Sequence, residues 1–207
     1  LTTLREVIQW RPEDGYLLCN AAIYFDRYGE HEEARRCLET AVGKVHTGVW
    51  IRTRATLALN EGELVQARQW FEELLTLSPS DGQTLDTLLD LDLQLESADK
   101  GEQRLRSLLA QWPQNTQLQE RLVTWLRQFR PDAIQSELEK ALTNDPNNAW
   151  LHREAAIAAI QRSDIETAQK HVQICLELEP NLYRNWCLLG QINFELGNRQ
   201  GTREAAI

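Results

Sequence analysis

Methionine is absent from this sequence, which opens at Leu1. That absence, together with ends that fall inside a repeating pattern, predicts a piece of a longer protein. Long apolar runs are missing as well. Nothing approaches the roughly 20 residues that cross a bilayer, and no signal-peptide pattern stands at the start, so no membrane insertion by this segment is expected. Cysteine is scarce: Cys19, Cys37, Cys175 and Cys187 form neither a CxxC pair nor a metal-ligand spacing. They read as reduced, mostly packed thiols, which leans towards a reducing, cytoplasmic setting. Basic charge is in the minority, with 22 Lys and Arg against 31 Asp and Glu and a net charge of -9. A field of that sign repels phosphate backbones, so nucleic acid is not an expected partner. The 10 glycines sit mostly in turns and build no phosphate loop or nucleophile elbow.

What is present is periodic. "GELVQARQWFEELLTLSP" (Gly62 to Pro79) returns about a hundred residues later as "SDIETAQKHVQICLELEP" (Ser163 to Pro180), with alanine, leucine and proline kept in place. Pro79, Pro113, Pro146 and Pro180 recur every 33 or 34 residues. Pro12 stands two periods before Pro79, with His46 at the intermediate position. A second ladder of mostly small residues runs through Ala34, Ala67, Gly101, Ala133 or Ile134, Ala168 and Thr202. Small side chains let neighbouring helices approach, and larger ones there would cost about 1 to 3 kcal/mol of overpacking. Such a fixed period signals stacked supersecondary units.

Within a unit the apolar spacing is helical: Leu118, Leu122, Trp125, Leu126 and Phe129 share one face. Turns marked by "YGEHEEA", "NEGELVQA", "RPDA" and "RSDIETA" then separate two antiparallel helices in each unit. "LDLDLQLE" (Leu89 to Glu96) alternates as a strand would, yet it occupies a first-helix slot and its residues are poor strand formers, so helix is expected. Asp92 then falls at a position that should be packed.

These features resemble the tetratricopeptide repeat. "NWCLLGQINFELGN" carries the first-helix pattern with Trp186, Leu189 and Gly190, and "GEHEEARRCLETAV" the second-helix pattern with Ala34 and Ala41. The resemblance implies an all-α, right-handed α-solenoid of antiparallel helix pairs, read as a single repeat domain over 1–207. Residues 1–12 would be a trailing helix. Full repeats would cover 13–46, 47–79, 80–113, 114–146 and 147–180, and 181–207 a truncated one. Exposed ends make self-association through them an expectation.

Catalysis needs converging groups, and the four histidines are scattered. "HEE" at His31 to Glu33 spreads its ionisable groups around a helix start, so no catalytic, cofactor or metal ligand is assigned. Neighbouring acids such as Glu72 and Glu73 diverge by about 100° on a helix and read as a solvated face. "RLVTWLRQFRP" interleaves arginines with aromatics, but those aromatics belong to the apolar face.

In the tetratricopeptide pattern first helices line a concave groove, and the resemblance carries that role to particular residues. They are Tyr16, Cys19, Ile23, Asp26, Arg52 and Thr56, then Gln83, Asp86, Asp90, Gln117, Glu120 and Arg127, and finally Trp150, Arg153, Ile157, Arg184 and Gln191. Some proteins of this type hold a terminal carboxylate with lysine and asparagine. The matching positions here carry Cys19, Ile23, Thr53, Gln83 and Thr87, which departs from that clamp. The expected function is a non-catalytic scaffold that binds another protein's segment in the groove. The alternative is a docking region of a larger enzyme or of a secretion or export assembly. Arg52, Arg153 and Arg184 are expected to be available to the partner.

Overall fold

The computed structural model describes residues 1–198, and all regular structure among them is helical. Helix α1 (Thr2–Trp10) is the trailing helix; pairs follow as α2 (Gly15–Arg27) with α3 (His31–Thr40) and α4 (Thr47–Asn60) with α5 (Leu64–Leu77). Next come α6 (Gly82–Leu95) and α7 (Ala98–Gln111), α8 (Thr116–Phe129) and α9 (Ile134–Asn144), α10 (Ala149–Gln161) and α11 (Ile165–Leu178), then α12 (Tyr183–Glu195). A 3-10 turn, Pro131–Ala133, leads into α9. The chain divides into two compact units, Leu1–Gly101 and Glu102–Ile207.

Four first helices begin where they do because a capping side chain stands two residues after Pro12, Pro79, Pro113 and Pro146, whereas Leu182 after Pro180 offers none. Asp14, Asp81, Asn115 and Asn148 accept the backbone N–H three residues on, at 3.0 to 3.2 Å. Each such cap is worth about 1 kcal/mol. Where the proline is replaced, His46 takes over, its Nδ1 accepting from the Gly48 amide at 3.2 Å. Three of the turns inside pairs use a left-handed residue: Gly29 and Gly62 both have φ of 79°, and Ser163 has φ of 61° without a glycine's freedom.

Helix pairing follows the small-residue ladder. Ala34, Ala67 and Ala168 are buried, as is Gly101. Where the 3-10 turn leads into α9, Ile134 rather than Ala133 takes the buried position. Thr202 lies outside the described residues. In the Leu1–Gly101 unit, Leu18, Ala22, Phe25, Ala34, Leu38 and Leu57 share one core, with Leu4, Ile8, Val45 and Trp50 packed against it. In the other unit Ala156, Ala159, Ala168, Val172 and Ile192 form a core under Ile160, Leu176 and Leu189. Each large aliphatic removed from water contributes roughly 1.5 to 3 kcal/mol.

The alternating stretch Leu89 to Glu96 is part of α6 up to Leu95. Leu85, Leu88, Leu89 and Asp92 are buried along it, so helical register overrides the period-two pattern. Asp92 is wholly buried, with the Arg68 guanidinium 3.9 Å from Oδ1.

The irregular ending at "GKVHTG" also has a physical account. Helix α3 stops at Thr40, four residues shorter than α5, and Gly43 takes φ of 73°. The loop then presses on the start of α2, where a Cβ on Gly15 would lie 2.8 Å from the Val45 Cβ and collide with the Lys44 carbonyl.

Candidate partner-binding surface

In the Leu1–Gly101 unit, α2 packs beside α4. Of the expected groove residues, Tyr16, Gln83, Asp86 and Asp90 are exposed, and Ile23, Arg52 and Thr56 are half-buried. Two expectations are corrected. Cys19, 2% exposed, belongs to the core, because α2 turns it under the α4 helix and not towards solvent. Asp26 is 6% exposed and serves the fold: it faces His31 Nδ1 at 2.9 Å and accepts from Asn60 Nδ2 at 2.8 Å.

Arg52 is also committed, since it pairs with Asp81, the cap of α6. Burial would raise the Asp81 pKa, but Arg52 together with the Thr84 hydroxyl and amide hold it below the usual carboxylate range. The expectation that Arg52 and Arg153 await a partner is therefore corrected.

In the Glu102–Ile207 unit, α10 packs beside α12. Gln117, Arg184 and Gln191 are exposed, while Glu120, Trp150, Arg153 and Ile157 are half-buried. Arg153 pairs with Glu179 and donates to Asn185 Oδ1 at 3.3 Å. Arg127 is exposed but pairs with Glu154 on α10. Trp150 and Glu120 share a shallow recess of about 30 Å³ with Pro113, Asn115 and Asn144. That volume takes little more than a water.

A larger recess of about 320 Å³ lies on α3, α4 and α5, over Leu38, Leu57 and Ala58. Its wall is Trp70, over which the Arg54 guanidinium sits 4.7 Å from the ring centroid; the same guanidinium is 5.5 Å from Trp50. The indoles of Trp50 and Trp70 meet edge to face at 5.9 Å. Sequence reasoning left Trp50 unassigned; its Nε1 donates to the Leu38 carbonyl at 2.9 Å, sealing the end of α3. Nothing in local spacing announces this, because the partner carbonyl belongs to the main chain.

Two of the buried thiols are poor nucleophiles. Burial pushes Cys37 up to about 11 and Cys175 up to about 11, far above the range of a nucleophilic thiolate at neutral pH. No helix among the described residues is long and apolar enough to cross a membrane.

No family profile matches the chain. A curated relative does: the TPR repeat-containing protein PA0015 of Pseudomonas aeruginosa is 34% identical over 68 residues, which is 33% of this chain. The match spans 65% of that relative's length. Among solved structures, PilF of Pseudomonas aeruginosa superposes with a TM-score of 0.53 at 16% identity, covering 94% of this chain and 90% of that one. MamA from Desulfovibrio magneticus RS-1 gives a TM-score of 0.53 at 16% identity over 76% of this chain and 90% of its own. At those identities the likeness concerns the fold. The chain is similar in fold to these structures, all-helical among the described residues and built of antiparallel helix pairs.

Proposed function

We propose that this chain is a non-catalytic protein-interaction scaffold, and that each unit binds a partner segment along the open faces of its first helices. A tetratricopeptide-type fold in itself suggests a protein-interaction scaffold. Repeat surfaces of this kind offer area and shape without an enclosed pocket. The observation that carries the reading is the uncovered first-helix face of the Glu102–Ile207 unit. Its first helices carry exposed Gln117, Arg184 and Gln191 and half-buried Trp150 and Ile157, a mixture of polar contacts and apolar anchors. Arg153 and Arg127 contribute by holding α10 in place and not by contact.

The test is capture of partners from native extract by the chain and by two variants. Trp150→Ala combined with Arg184→Glu removes the apolar anchor and reverses the exposed charge without touching an ion pair. Gln173→Ala combined with Lys170→Ala changes the exposed side of α11. The first variant is expected to lose the partner and the second to keep it. Equal capture by both would overturn the reading.

A further inference from the structure

We propose that Asp26, His31 and Glu61 form a binding site for a divalent transition metal of the zinc class within the Leu1–Gly101 unit. The three side chains come from different elements: Asp26 from the last turn of α2, His31 from the first residue of α3, and Glu61 from the residue that closes α4. Their ligand atoms all lie within 4.8 Å of one another. Sequence spacing hid this set, because Glu61 arrives from the following repeat and the sequence-adjacent Glu32 and Glu33 point elsewhere.

The geometry is close to a coordination sphere. Asp26 Oδ1 and His31 Nδ1 are 2.9 Å apart, and parting by about half an ångström would bring them to the spacing of neighbouring tetrahedral ligands that each reach a metal at about 2.1 Å. The other oxygen of Asp26 is fixed by Asn60 Nδ2 at 2.8 Å, a second-layer hydrogen bond of the sort that orients a ligating carboxylate. Asp26 is itself almost fully buried, while His31 is half open to solvent, which gives an ion a way in. A mixed nitrogen and oxygen donor set of this kind suits zinc, cobalt or nickel, with water completing the sphere.

One group competes. Arg35 Nη2 donates to both oxygens of Glu61 at 3.1 Å. Binding therefore requires Glu61 to leave Arg35 and swing inward by about 1 to 2 Å to reach bonding distance. This competition gives the site a signature that stray binding at His46, His152, His171 or the amino terminus lacks.

The experiment is titration of the whole chain with zinc by calorimetry, and with cobalt by visible absorption, near pH 7.5. One equivalent is expected to bind. His31→Gln keeps an amide donor for Asp26 and so preserves the fold, verified by an unchanged helical circular dichroism signal. It is expected to weaken binding roughly tenfold or more. Glu61→Gln should do the same, and Arg35→Gln should tighten binding by releasing Glu61. Absence of binding, or binding that His31→Gln leaves unchanged, would overturn the proposal. A failure of Arg35→Gln to tighten binding would remove Glu61 from the site and overturn the three-ligand assignment.

Discussion

The two units join their repeats with different chemistry. In Leu1–Gly101, arginines on second helices reach acids about one period ahead: Arg5 to Glu33, with Nε and Oε1 2.8 Å apart, then Arg35 to Glu61 and Arg68 to Glu96. In Glu102–Ile207 Arg106 reaches Glu137 in that way at 2.8 Å, while arginines on first helices, Arg127 and Arg153, make further ties. The same divergence shows in the side-chain donors that reach carbonyls at the end of a second helix. In the first unit an indole, Trp50, seals α3. In the second, Asn185 donates to the carbonyls of Cys175 and Glu179, both at 3.0 Å, and is wholly buried. Carbonyls at a helix end have capacity for further donors, and each repeat supplies its own.

A further contrast is titratable. His152 is buried at the start of α10, with Nε2 2.9 Å from the Pro146 carbonyl and Nδ1 2.9 Å from His171 Nδ1. A carbonyl can only accept, so Nε2 carries the proton, and in neutral His152 the Nδ1 lone pair accepts from His171. Burial first, and the charge of His152 second, push His171 below the ordinary imidazole value. The folded state therefore binds fewer protons than the unfolded chain, and stability falls as pH drops below the unfolded value of about 6.5.

The largest expected effects come from removing buried side chains. Phe25→Ala in the first unit and Leu126→Ala in the second, both at buried sites, should each cost about 3 to 5 kcal/mol in denaturant unfolding. A cost under 1 kcal/mol at either would mean that its core is not packed as described.

The two carbonyl seals come next. Asn185→Ala removes a buried amide that donates to two carbonyls and accepts from Arg153, and should cost about 1 to 3 kcal/mol. Trp50→Phe should cost less, because half-buried Trp50 leaves water a route to Leu38. Reversal of that order by urea denaturation would break the comparison.

Acidification from pH 7.5 to 5.5 should lower the melting temperature, and His171→Gln should blunt the loss. An unaltered pH profile in that variant would remove the imidazole pair from the account.

The smallest effects lie in the turns. Gly62→Ala should destabilise by about 1 kcal/mol, while Ser163→Gly should stabilise by up to about 1 kcal/mol, since only the serine is strained at positive φ. Thermal unfolding of the pair reads both signs.

The helix pairs and their period were legible in the sequence, because prolines and small residues mark packing that every repeat must satisfy. Caps such as Asp81 and Asn148 were equally legible, two residues after proline, although the reading there stopped at the proline itself. Cys19 and Asp26 were misplaced for a different reason. Register names the side of a helix, but whether the next repeat covers that side depends on the partners it brings, here Asn60 for Asp26. Arg52 and Arg153 misled in the same way: their acids lie 29 and 26 residues away, outside any local window.

The most direct measurement is residue-resolved hydrogen exchange on the whole chain. Helical register predicts protection from Leu85 through Leu95 on both sides of the Leu89 to Glu96 alternation, broken at Ser97, and matching breaks at 28–30, 61–63 and 162–164. Protection that alternates residue by residue along 89–96, or that runs unbroken through those turns, would contradict the stacked-pair account.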